Sequence, residues 1–149
     1  MSANEFDPRH NARIIVLQRL FEKDFKDSNT NIAVSDSFSD LALQEISELG
    51  EYDRAHVETL YNGVVKNCDH IDTIISKLAP EWPIKNIARI DLMILRLAIY
   101  EGFILKSAPQ KVVIDEAIEL SKEFSNDQTR KFISGVLGNL FTNETELLK

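Results

Sequence analysis

Residues 111–141 read K-V-V-I-D-E-A-I-E-L-S-K-E-F-S-N-D-Q-T-R-K-F-I-S-G-V-L-G-N-L-F, and their periodicity decides the fold class. In the first half, Val113, Ala117, Leu120 and Phe124 recur at steps of three and four, while Asp115, Glu116, Glu119, Lys122 and Glu123 take the other side. That pattern is an amphipathic helix. In the second half, Phe132, Val136 and Leu140 form an apolar stripe that Ile133 and Leu137 widen. The corner between them, Ser125-Asn126-Asp127-Gln128-Thr129, consists of residues whose side chains cap a helix start. Arg130 and Lys131 follow at once, so two cations stand beside the unpaired N–H groups of a helix N-terminus, where a phosphate can bind. An ordinary capped corner with two solvated bases accounts for the same residues.

Upstream of this stretch, residues 85–105 are the most apolar segment, with Ile87, Ile90, Ile94 and Leu97 on one side and Leu92, Leu95, Ile99 and Phe103 on another. A helix apolar on more than one side belongs at the centre of a bundle. Arg89 and Arg96 interrupt it, and Asp91 or Glu101 is the expected partner of either. Before it, Val57, Leu60, Val64, Cys68, Ile71, Ile74 and Leu78 keep helical register, which predicts one long helix from Asp53 to about Leu78, ended by Pro80-Glu-Trp-Pro83. A shorter helix is expected over residues 38–49, between the cap Asp36 or Ser37 and the stop Gly50. The first helix starts near Pro8 and runs toward Phe25 on a stripe of Ile14, Leu17, Phe21 and Phe25. No segment has strand period. The expected fold class is all-α.

The 149 residues fit one domain able to bury a sizeable core. No apolar run approaches the length that crosses a membrane. The polar, acidic N-terminus lacks the layout of a signal peptide, and the single cysteine, Cys68, favours a reducing compartment, so a cytoplasmic location is expected. The net charge of −7 is concentrated: residues 28–62 hold seven acids against Arg54, leaving 16 bases against 17 acids elsewhere. That balance excludes coating nucleic acid by charge alone but leaves room for a local basic site.

Little in the sequence composes an active site. His10, His56 and His70 lie in separate segments without metal-ligand spacing, Cys68 sits on an apolar stripe, and the five glycines form no phosphate loop. Carboxylate pairs such as Asp115 and Glu119 are usual on solvated helix faces. No enzyme, cofactor or metal is expected. Gly135 and Gly138, inside the last helix, each cost on the order of 1 kcal/mol against alanine. They suggest either close approach by another helix or partner, or tolerated instability.

Residues 90–101 (I-D-L-M-I-L-R-L-A-I-Y-E), 109–125 (P-Q-K-V-V-I-D-E-A-I-E-L-S-K-E-F-S) and 131–137 (K-F-I-S-G-V-L) resemble the NusB family of bacterial transcription antitermination factors. The first helix, A-R-I-I-V-L-Q-R-L-F at 12–21, fits the family's opening, and L-Y-N-G-V at 60–64 agrees more weakly. The resemblance implies a bundle of about six to seven helices in two antiparallel subdomains, here placed at 1–80 and 81–149, and no catalysis. It implies binding of boxA RNA from ribosomal RNA leaders with the ribosomal protein NusE, in a complex with other Nus factors and RNA polymerase. Some members form homodimers instead.

Carried over by motif, the RNA-binding positions are Arg9, His10, Asn11 and Arg13 at the first helix start, and Gln128, Arg130, Lys131 and Phe132 at the corner. The partner-binding face implied by the resemblance includes Asp91 and Glu101. Where relatives carry a run of arginines, this chain has Arg9-His10-Asn11-Ala12-Arg13, so phosphate contacts are fewer and salt sensitivity is lower. That depletion also admits a different reading, a helical protein-interaction module that has lost most RNA binding.

Overall fold

A computed structural model describes residues 8–28 and 53–143. The expected helix at 38–49 and most of the acidic segment lie outside them. The described residues fall into two compact units, divided between Asn62 and Gly63.

In the first unit, α1 (Pro8–Ser28) follows the predicted stripe at Ile14 and Leu17, which are buried; beyond them Leu20 is buried instead, while Phe21 is half-buried and Phe25 is exposed near the helix end. Proline opens the helix, where its missing N–H costs nothing. The start of α2 (Arg54–Lys66) is tied to the start of α1, since Asp53 N–H donates to the Pro8 carbonyl at 3.3 Å. Further along, Arg19 bonds Glu58 at 2.9 Å and lies over the Tyr61 ring at 5.6 Å. α2 runs across the division, and in the second unit the expected single helix from Asp53 to Leu78 is broken. α2 ends at a turn, and α3 (Cys68–Leu78) begins anew after Asn67. The Asn67 side-chain amide donates to the Gly63 carbonyl at 2.7 Å, while its backbone sits at φ −104° and ψ 14°, outside the helical basin. The break leaves the stripe intact, because Val64, Ile71, Ile74 and Ile75 are all buried.

The second unit is centred on α4 (Arg89–Ile99), where Leu92, Met93, Ile94, Leu95, Leu97 and Ile99 are buried on all sides. Each large side chain removed from water contributes roughly 1.5–3 kcal/mol. α4 is shorter than predicted. Its expected first turn is a separate 3-10 turn (Ile84–Asn86), and Ile87 and Ala88 are extended before the helix starts. At its other end one π turn (Tyr100–Ile104) carries the chain to Leu105. α5 (Gln110–Phe124) and α6 (Asp127–Thr142) pack on each other and on α4, and α3 packs on both α4 and α6. The arginine pairing also differs from expectation. Arg96 makes a two-pronged bond to Asp72 of α3, at 2.9 and 2.8 Å, because the bundle brings that carboxylate alongside. Among the described residues there is no strand, and no helix is long and apolar enough to cross a membrane.

Candidate nucleic-acid interface

The corner between α5 and α6 is built from its own sequence. Asn126 caps α6: its side-chain oxygen accepts from the Thr129 N–H at 3.0 Å. The chain is extended at Ser125 and Asn126, which separates the two helices sharply. Asp127 lies in the first turn of α6, where the helix dipole favours an anion, and it holds Arg130 in an ion pair.

What fixes this corner to the rest of its unit is Asp91. The carboxylate, in the first turn of α4, accepts from the Ser125 hydroxyl at 2.7 Å and from the Thr129 hydroxyl at 3.1 Å. Both oxygens are therefore engaged, one to each side of the cap. A buried carboxylate without such partners would be strongly destabilising. The residue expected at a partner face thus also clamps the corner.

The candidate positions divide by exposure. At the corner, Gln128 and Lys131 are exposed, Arg130 and Phe132 are half-buried, and Lys131 has no carboxylate partner among the described residues. At the start of α1, Arg9 is exposed, but His10, Asn11 and Arg13 are buried, Arg13 with only 3% of its surface open. Asp91 and Glu101 are buried as well, Glu101 to within 2%. Gly135 and Gly138 approach nothing: a Cβ at either would meet no atom within 4 Å.

One residue of this site escaped the sequence reading. Trp82, taken only as part of the turn that stops a helix, is 50% exposed and meets Phe132 edge-on, ring centroids 6.0 Å apart and planes at 67°. The two rings border a cavity of about 320 Å³ that also takes in Asn86, Ile87, Gln128 and Thr129. The signal was a tryptophan between two prolines, with no helical stripe to join.

Two helical units, with a clamped, capped corner that carries an exposed cation and a half-buried aromatic, define an all-helical protein. The model of the NusB family matches residues 10–141, and the chain belongs to that family. The transcription antitermination protein NusB of Roseiflexus castenholzii is 34% identical over 143 residues, 95% of this chain and 96% of its own. Among solved structures, NusB of T. maritima superposes with a TM-score of 0.71 at 28% identity, covering 96% of this chain and 98% of that one. A structure of antitermination factors NusB and NusE in complex with dsRNA shares the fold at TM-score 0.68 and 23% identity, over 89% of this chain and 95% of that one.

Proposed function

We propose that this protein is a transcription antitermination factor that binds boxA-type RNA of ribosomal RNA leaders together with the ribosomal protein NusE. The observation that supports it most is the relation to NusB antitermination proteins along nearly the whole chain, joined to a corner that presents Lys131, Gln128 and Phe132. In this reading the exposed cations Arg9 and Lys131 pair with phosphates, and Phe132 touches a base. Buried His10, Asn11 and Arg13 hold the opening of α1 in shape, with Arg13 adding to the local positive potential. Asp91 serves the partner by fixing the start of α4 against the corner, and no step of the function is catalytic.

Burial of three of the four N-terminal candidates favours a second reading, in which the chain binds its protein partner and has lost most RNA affinity. Fluorescence polarisation with labelled boxA RNA, with and without NusE, separates the two. The antitermination reading expects binding that NusE strengthens, and that weakens when Arg9 and Lys131 are both replaced by alanine. Binding of NusE with no RNA bound in either arm selects the interaction module.

A further inference from the structure

We infer that Trp82 is the platform of a nucleobase-binding cleft, in which one unpaired base of a single-stranded RNA stacks on the indole beside Phe132. The inference rests on the RNA-binding reading above and assigns to it a residue outside the corner. A tryptophan half open to water is a standing cost unless something covers it. This one is held in place. Pro80 and Pro83 restrict the turn on either side, the backbone N–H of Trp82 donates to the Ala79 carbonyl at 3.0 Å, and the Phe132 ring packs against the indole. A platform that is already ordered loses little conformational entropy when a flat ligand lands on it.

The surroundings specify which flat ligand. The 320 Å³ cavity is lined by buried Ile87 and by two primary amides, Asn86 and Gln128, each with a donor and an acceptor to match the edge of a base. Exposed Lys85 and Lys131 directly neighbour Asn86 and Phe132 in sequence, so phosphates on either side of the stacked base have cations within side-chain reach. Asp91 also borders the cavity, its two oxygens bonded to the Ser125 and Thr129 hydroxyls, and its negative charge selects a neutral base over a phosphate as the group that enters. An apolar peptide would leave the two amides and two lysines unused. A nucleotide uses all of them.

Trp82 is the only tryptophan in the chain, so its emission reports on this cleft alone. The full-length protein is titrated with unlabelled boxA RNA while Trp82 emission is followed, and affinity is read in parallel by polarisation of labelled RNA. Saturable quenching is expected at the same midpoint as the polarisation change. Replacing single nucleotides by abasic ones should abolish the quenching at one position only. Trp82→Ala should weaken binding by roughly 5- to 150-fold, Trp82→Phe should restore most of it, and both variants must keep the wild-type circular dichroism. Asn86→Ala and Gln128→Ala should narrow the difference in affinity between RNAs that differ at that one position. RNA binding with unchanged Trp82 emission and an unaffected Trp82→Ala variant overturns the cleft and leaves the antitermination reading standing. Emission that responds to NusE alone and not to RNA overturns it in favour of a protein contact. Absence of any polarisation change overturns the RNA reading, and the cleft with it.

Discussion

At the scale of single residues, the glycines sort by what a methyl group would meet. A Cβ on Gly63 would lie 2.0 Å from Cζ of Tyr100, a ring that is buried against α2 and starts the π turn. The ring would have to leave its place, and overpacking of this kind costs about 1–3 kcal/mol. Gly135 lies on α6 with open space around it, so alanine there removes the helix penalty of glycine and meets no atom. Gly63→Ala should therefore lower the melting temperature by roughly 2–12 °C, and Gly135→Ala should raise it by about 2–4 °C. Thermal melts followed by circular dichroism check both. Opposite signs are required, and a Gly63→Ala protein that melts with the wild type would show that Tyr100 is not packed there. The sequence gives both residues as helical glycines. Only the tertiary structure distinguishes them, because the clash partner of Gly63 lies 37 positions away.

At the scale of elements, apolar period marked where helices lie better than where they stop. The stripes of α1, α5 and α6 were legible because each buries one face, and Asn126 was legible as part of a capping corner. The break at Asn67 was not, since Val64 and Ile71 stay in register across it and the cause is one side-chain amide bonding back to Gly63. The extended pair Ile87–Ala88 was hidden for a related reason, as Ile87 is buried whether or not it is helical. What attaches the corner was also illegible: Asp91 and Thr129 are 38 residues apart, and no local pattern couples them. That attachment can be measured. Asp91→Ala takes away the acceptor of the Ser125 hydroxyl and leaves the Thr129 hydroxyl only the Asn126 side-chain oxygen, and Thr129→Val removes one donor, so each should destabilise the protein by about 1–3 kcal/mol. In a double-mutant cycle by urea denaturation the two should be non-additive, with a coupling of about 0.5–3 kcal/mol. Additive effects would mean that the carboxylate and the hydroxyl do not depend on each other.

For the whole molecule, a chain of net charge −7 that binds RNA as proposed must do so with few cations. The net negative charge concentrates in residues 28–62, while the candidate contacts are a few exposed cations, Arg9, Lys85 and Lys131, with Arg130 already engaged by Asp127. Each phosphate neutralised by a cation releases counterions, and for single strands the slope of log K against log salt is about −0.7 per contact. Three such contacts give a slope of about −2, shallow for a nucleic-acid-binding protein. Stacking on Trp82 and amide contacts are insensitive to salt, so they set the affinity that survives at high ionic strength. Polarisation titrations of boxA RNA across a salt series should therefore give a slope near −2. Lys131→Ala should make it shallower by about 0.7, whereas Trp82→Ala should lower affinity at every salt concentration and leave the slope unchanged. A slope steeper than about −4 for the chain alone would mean that many more cations reach the RNA than these three, and would overturn this count of contacts.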